Sequence, residues 1–239
     1  MSDTSNTGNL ASSPIADAAE FDARLKRTDE NRWLASRYAP PEARERLVAI
    51  YLLHQELSRA LHATEAMLGK VRIQWWRETV EQISGKGALR RHDLAEELAR
   101  VTGDRRDLLA PINDLIDRFD DVIDDHLHAG GHEDSGTHEA KHLAAEASLA
   151  RLAGQALDAS LNHSHLDALT RCGEAHLAVV ADMPDAPDRW ITAQVAAREL
   201  PAHVWPAMLH LSISAPSGRP RSPLSKRWRM FQAALTHRL

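Results

Sequence analysis

The stretch 37–85 reads RYAPPEARERLVAIYLLHQELSRALHATEAMLGKVRIQWWRETVEQISG, and it predicts the fold more clearly than any other part of the chain. Proline is accepted in the first turn of a helix but not in its interior. The pair Pro40 and Pro41 therefore predicts the end of one helix and the start of the next. Apolar side chains then recur at helical spacing, which predicts a helix over 41–64 and another over 67–83. The sequence SGKG ends the second of them.

The rest of the chain has the same helical pattern. Hydrophobic residues make up 43% of the 239 residues, and Gly and Pro number 11 each. Because the glycines and prolines lie mostly between apolar-periodic segments, this distribution favours helices over strands. The small polar residues 1–18 predict a disordered tail, and the expected architecture is all-α, with one helical domain over 19–239. Further helices are predicted over residues 20–38, from 93 onward, and over 104–128, 138–161, 165–182, 190–199, 201–213 and 224–237.

Composition and charge exclude several classes of function. A net charge of −5 provides no basic field to attract nucleic acid, so no nucleic-acid partner is expected. The single cysteine, Cys172, cannot form an internal disulfide, which fits a reducing compartment. The N-terminal segment lacks the basic start and apolar run of a secretory signal, and no apolar stretch approaches the roughly 20 residues that span a bilayer. We therefore expect a cytoplasmic protein that is soluble or peripheral at the inner face of the membrane.

The helix predicted over 41–64 carries polar side chains on its apolar face. A helix turns by about 100° per residue, which places His54, Ser58 and His62 on the same side as Leu47. A polar group on an apolar face must find a hydrogen-bond partner or water. Two interpretations follow. Either these side chains form hydrogen bonds within the core or at the frayed helix end, or they line a cavity that receives a ligand.

The sequence RFDDVIDDHLH, residues 118–128, has the residue pattern of the aspartate motif that holds magnesium against a prenyl diphosphate. Relative to the apolar stripe of this helix, Asp121 and Asp125 lie roughly opposite, Asp124 lies well to the side, and only Asp120 lies near the stripe. Carboxylates that hold such a metal must point into the substrate cavity. The pattern therefore favours a solvent-facing charged surface without metal. The alternative interpretation keeps these four aspartates as an unorthodox magnesium site.

The stretch quoted at the outset resembles the N-terminal part of the squalene/phytoene synthase family. The shared features are an Arg-Tyr pair before an APxxxR sequence, a helix that reads AIY at 49–51, a tight turn, and the sequence RIQWWR that starts at Arg72. The resemblance is good over 29–86 and looser at LIDRFDD, at PAHVWPAMLHL and in the basic C-terminal segment. It implies the isoprenoid synthase fold, a helical bundle around an apolar cavity.

The residues that this family uses for catalysis are missing at the matching positions. The family's first aspartate motif follows the tyrosine, here Tyr51, and the corresponding positions hold Ser58, Arg59 and His62. The second motif corresponds to EAHLAVVADMPDAPDRW, residues 174–190, whose aspartates are separated by prolines in a predicted loop. The resemblance therefore assigns no catalytic residue to this chain.

The sequences YLLHQELSRA and MLGKVRIQWWRETV are most similar to a branch of the family that lacks these aspartates and includes the mitochondrial complex I assembly factor. This similarity implies a non-catalytic accessory or assembly factor that needs no cofactor. It also implies a prenyl or lipid ligand and a partner in a respiratory complex or a paired synthase. The alternative is a head-to-head prenyltransferase that condenses two prenyl diphosphates with magnesium held by the aspartates of 118–128.

Aromatic and basic side chains supply further candidates. Trp75 and Trp76 either pack between helices or, as the resemblance implies, form the wall of a lipid cavity. The C-terminal helix carries Arg227, Trp228 and Arg229. It either rests on anionic lipid or docks on the bundle with its arginines in water.

The segment HLHAGGHEDSGTHEAKH, residues 126–142, is rich in histidine. His138 and His142 are one helical turn apart, a spacing that can present two imidazoles to one metal. Glu139 lies between them, but the segment lies at the edge of a predicted loop with no organised core nearby. No metal site is therefore expected here.

Overall fold

The computed structural model describes residues 14–128, 135–215 and 222–239. These residues form ten α-helices and three short 3-10 helices and contain no β-strand, which confirms the predicted all-α class. Most of the predicted tail, 1–13, lies outside the described residues. The 3-10 helices are Arg106–Leu108, Ala202–Ala207 and Leu209–Ile213. The α-helices are α1 (Pro14–Thr28), α2 (Glu30–Ser36), α3 (Pro41–Leu61), α4 (Ala66–Ile83), α5 (Asp93–Val101), α6 (Leu109–His128), α7 (Ser135–Leu157), α8 (His163–Val180), α9 (Ala186–Ala197) and α10 (Pro223–Thr236).

The single helix predicted over 20–38 is divided into α1 and α2 at Asp29. The Asp29 side chain accepts a hydrogen bond from the backbone N–H of Arg32 at 3.0 Å and so caps α2. A cap of this kind satisfies one of the backbone donors that a helix start leaves open. After the break, this short helix packs against α1, α3 and the two 3-10 helices within 202–213.

The segment predicted as a helix over 201–213 is helical but not α-helical. It forms two consecutive 3-10 helices, and Pro206 lies inside the first of them. Proline lacks a backbone N–H and clashes with the preceding turn of an α-helix, so a 3-10 conformation is the better solution here.

Helix α3 lies at the centre of the bundle. It packs against α1, α2, α4, α5, α6 and α7, and its buried residues face several directions. On the far side, α7 packs against α6 and α8, and α8 packs against α9. The α7–α8 contact is close at Gly173, where a Cβ atom would lie 2.6 Å from the backbone oxygen of Glu146, so only glycine fits. This arrangement brings side chains of α3, α7 and α8 into one interior.

Candidate functional site

Five polar side chains from separate elements meet inside the bundle. They are Arg32 of α2, His54 of α3, Glu146 of α7, His176 of α8 and His210 of the 3-10 helix Leu209–Ile213. We call these five residues the interior polar cluster. Because they come from five elements, the cluster exists only when these five elements are packed together.

The Arg32 guanidinium is the centre of this cluster. It donates hydrogen bonds to Glu146 and to Asp29, the latter at 3.1 Å, and it lies over the Tyr51 ring at 5.6 Å. His54 Nε2 lies 3.5 Å from the second carboxylate oxygen of Glu146. Two carboxylates and an aromatic face fix the arginine in place. Their interactions with the guanidinium offset the hydration that it loses on burial.

The histidines of the cluster pack against rings. His176 and His210 meet edge to face with ring centroids 4.7 Å apart. His54 meets Phe119 of α6 in the same way at 5.5 Å. Such contacts are favourable for aromatic rings and keep the three imidazoles in defined orientations.

Burial determines the charge state of the cluster. It lowers the pKa of His176 to about 3 and holds the pKa values of His54 and His210 well below the ordinary value, and the nearby Arg32 charge adds to each effect. Burial also opposes the charge on Arg32, but Glu146 and Asp29 outweigh it and raise the pKa of Arg32. The three histidines are therefore neutral at neutral pH, and the guanidinium is charged.

Several polar atoms of this interior have no hydrogen-bond partner among the residues that the structure describes. They are Arg32 Nε, Tyr51 Oη, His54 Nδ1, His176 Nδ1 and His210 Nδ1. Buried polar atoms in folded proteins nearly always bond to protein, ordered water or a bound molecule. The cluster therefore has the capacity to bind small polar groups.

The positions that correspond to the family's first aspartate motif do not converge. The Ser58 hydroxyl donates to the backbone oxygen of His54 at 2.8 Å, within its own helix. Arg59 pairs with Glu56 at 2.7 Å and is half exposed. His62 is exposed and caps the C-terminal end of α3. Of the three polar residues predicted on one face of this helix, only His54 belongs to the interior polar cluster.

Trp75 and Trp76 lie at a different place. They stand edge to face at 4.8 Å, and Trp75 also meets His92 at 5.0 Å. Together they line a surface pocket of about 510 Å³, which we call the aromatic pocket. Its other lining residues are Glu56, Arg59, Val71 and Arg72. The structure thus separates the predicted ligand residues into an interior group and a surface group.

The four aspartates of 118–128 are each close to a cation. Lys70 of α4 lies 2.5 Å from Asp120 and 2.7 Å from Asp124. Arg77 also pairs with Asp120, at 3.2 Å. Asp121 lies 3.7 Å from Arg118, and Asp125 pairs with Lys141 of α7. The pairs of Asp120 and Asp124 fasten α6 to α4, and the pair of Asp125 fastens it to α7, whereas the Asp121–Arg118 pair lies within α6.

The orientation predicted for Asp125 is wrong. The helical spacing predicts Asp125 opposite the apolar stripe and in solvent, but its side chain is only 4% exposed. The reason is that α6 packs against α4 on one side and α7 on another, so its buried surface is wider than one apolar stripe. Asp121 does face solvent, with 53% of its side chain exposed.

The acids near the second motif also lie at the surface. Asp185 pairs with Arg189 at 2.6 Å, and both line an open pocket of about 600 Å³ between α8 and α9 with Glu174 and Asp188. The predicted loop here is partly helical, because α9 begins at Ala186. His176 is the residue of this segment that belongs to the interior polar cluster.

The remaining predicted residues lie at the surface or outside the described part. His138 and His142 of α7 contact each other at 3.2 Å between their Nε2 atoms. His132 of the histidine-rich segment lies outside the described residues. Arg227 and Trp228 are exposed on α10, and Arg229 is half-buried there. Among the described residues, no group of three or more His, Cys, Asp and Glu side chains is placed to hold a metal ion.

Sequence reasoning missed four members of the cluster: Arg32, Glu146, His176 and His210. For His176 a signal was available, because it shares the buried stripe of α8 with Cys172 and Val179. The other three lie on helices whose partners are far away in the sequence.

Comparison with known proteins gives a match to a protein family. Residues 25–130 match the family model described as squalene/phytoene synthase. No curated protein and no solved structure matches. The match runs from α1 to the end of α6, so it includes Tyr51 and the first-motif positions and excludes α7–α10. Within residues 25–130 the chain is thus squalene/phytoene synthase-like, and its all-α fold agrees with that similarity.

Proposed function

We propose that this squalene/phytoene synthase-like protein does not transfer prenyl groups and acts as an accessory or assembly factor. The observation that carries the proposal is that histidines, and not aspartates, of α3 and α8 face the shared interior. The family resemblance implies that these helices correspond to those that carry the family's two aspartate motifs, and His54 and His176 face the same interior. Holding magnesium against a diphosphate requires carboxylates that face each other from two helices. Neutral imidazoles beside a charged arginine do not meet that requirement.

The ion pairs of α6 support the same proposal. An aspartate that recruits magnesium must release its cationic partner, and Asp120 and Asp124 share Lys70 at 2.5 and 2.7 Å. Asp125 would have to leave a buried position beside Lys141. The prenyltransferase alternative therefore needs several ion pairs to break before any metal binds.

We place the prenyl or lipid ligand in the aromatic pocket. Trp75, Trp76 and Val71 provide an apolar wall, and Arg59 and Arg72 lie beside it. An apolar wall with a few cationic groups suits a ligand with a hydrocarbon body and an anionic head. The substitution Arg72→Glu should weaken binding of farnesyl diphosphate roughly tenfold in equilibrium dialysis, as expected for loss of one charge-assisted contact. The matched control is Arg118→Glu on α6, which should leave binding unchanged.

The partner that we propose is a respiratory complex or a paired synthase at the cytoplasmic face of the membrane, as the family resemblance implies. None of the helices in the described residues is long and apolar enough to cross a bilayer. Affinity purification of the full chain from its native membranes, with mass spectrometry of the bound proteins, tests this part. Recovery of neither class of partner would contradict it.

Turnover of a prenyl diphosphate tests the proposal as a whole. Purified protein is incubated with radiolabelled farnesyl or geranylgeranyl diphosphate and magnesium, beside a boiled sample. The expected result is no product above the boiled sample. Product that disappears in the Asp120→Asn, Asp124→Asn double variant would establish the prenyltransferase alternative instead.

A further inference from the structure

Helix α10 has two apolar faces. On the inner face, Met230 and Ala233 are 1% and 3% exposed, where the helix packs against the 3-10 helix Leu209–Ile213. The other face is not covered by any of the described residues. Its members are Leu224 (78% exposed), Trp228 (58%), Phe231 (43%) and Leu235 (67%).

These four side chains form one ridge. Their spacing of four, three and four residues places them within about 60° of one another and roughly opposite Met230 and Ala233. We call them the outer apolar ridge. The rings of Trp228 and Phe231 lie 5.8 Å apart in its middle. Contiguous exposed apolar residues of this size mark an interaction surface, since the inner face already secures the helix to the bundle.

The charge of α10 indicates what covers the ridge. Residues Pro223–Thr236 include Lys226, Arg227 and Arg229 and no acid, although the chain as a whole carries a net charge of −5. Lys226 pairs with Glu30 of α2 at 2.7 Å and anchors the helix. Arg227 is exposed, and its position on the helical wheel lies beside the ridge. The helix is thus a local basic surface on an acidic protein.

We propose that the outer apolar ridge docks α10 on an anionic lipid surface. A basic helix with tryptophan and leucine on one face lies in the membrane interface, with its apolar face at the boundary of headgroups and acyl chains. A second copy of this chain fits less well, because two ridges face to face would bring the cations of two acid-free helices together. The proposal does not rest on the proposed function, since a lipid-docking helix serves an accessory protein or an enzyme equally.

Vesicle sedimentation tests the proposal. The full chain is mixed with vesicles of phosphatidylcholine alone or with roughly 30% phosphatidylglycerol, the anionic component. The test variant is Trp228→Ser with Phe231→Ser, which removes the middle of the ridge. The matched control is Ile191→Ser with Val195→Ser on α9, where both side chains are 59% exposed.

The expected result is binding to the anionic vesicles that falls roughly tenfold or more in the ridge variant, given the apolar area removed. Binding should also weaken with salt and in Arg227→Glu, and the α9 variant should bind like the unaltered protein. The proposal is overturned if the unaltered protein ignores anionic vesicles, or if the ridge and α9 variants bind alike. A dimer in sedimentation equilibrium that only the ridge variant abolishes would also overturn it, because the ridge would then join two copies.

Discussion

Arg32 of α2 and Glu146 of α7 form a buried ion pair although 114 residues separate them in the chain. Their side chains are 7% and 10% exposed. Arg32 lies within the region that matches the squalene/phytoene synthase family, and Glu146 lies beyond it. The pair therefore joins the matched helices to the C-terminal half of the bundle, at the centre of the interior polar cluster.

Breaking this pair should destabilise the protein strongly. Arg32→Met leaves the Glu146 carboxylate buried without its cation, a change that typically costs about 3–5 kcal/mol. The double substitution Arg32→Met, Glu146→Leu removes both charges and should be less destabilising than the single substitution. Urea denaturation followed by circular dichroism measures the free energy of unfolding for Arg32→Met, for Glu146→Leu alone and for the double variant. A double variant that loses the sum of the two single losses would mean that the two residues are not coupled.

Stability should fall as the pH is lowered from 6.5 toward 4.5. The cause is that His54, His176 and His210 have lowered pKa values in the folded protein, whereas an unfolded histidine has a pKa of about 6.5. Above that pH neither state binds the proton, and below it only the unfolded state does. Each histidine therefore contributes up to about 1.4 kcal/mol of lost stability per pH unit. Glu146 opposes this trend, because burial raises its pKa although Arg32 counteracts the effect.

The variant His176→Gln isolates one of these histidines. The free energy of unfolding should decrease less steeply with falling pH in this variant than in the unaltered protein. The control is His163→Gln at the exposed start of α8, which should keep the original slope. Equal slopes for all three proteins would mean that His176 does not contribute to the pH dependence.

The aspartates of 118–128 should differ in their effect on stability. Asp125→Asn removes a charge that is buried beside Lys141 and should reduce the free energy of unfolding by about 1–3 kcal/mol. Asp121→Asn alters an exposed side chain 3.7 Å from Arg118 and should change it by less than about 0.5 kcal/mol. Thermal unfolding of the two variants side by side makes the comparison. The assignment of Asp125 to a structural ion pair fails if the two variants are equally stable.

Most helices of this protein can be predicted from local signals. Pro41 starts α3 as expected, and SGKG follows the end of α4 at Ile83. The division at Asp29 was not predicted, because neither proline nor glycine is present and the only signal is an aspartate that caps α2. A proline or glycine in the local sequence indicates clearly where a helix is interrupted. A residue that caps the next helix with its side chain is a weaker signal.

The interior polar cluster could be predicted only in part. His54 was identified because it lies on the apolar face of a single helix, a property that the sequence displays. Arg32 and Glu146 compensate each other across the bundle, and no pattern within either helix reveals the partner. The same limit explains Asp125, since the apolar stripe of α6 does not show that α7 covers a further side of that helix.

Binding of a divalent metal tests the central claim most directly, because the claim is that this bundle lacks facing carboxylates that hold magnesium. Manganese is used as the paramagnetic substitute for magnesium, and electron paramagnetic resonance follows the free ion as protein is added without any diphosphate, which would bind the ion itself. The account predicts the same free-ion signal with and without protein. A stoichiometric, protein-dependent loss of that signal, restored by Asp120→Asn with Asp124→Asn, would contradict it.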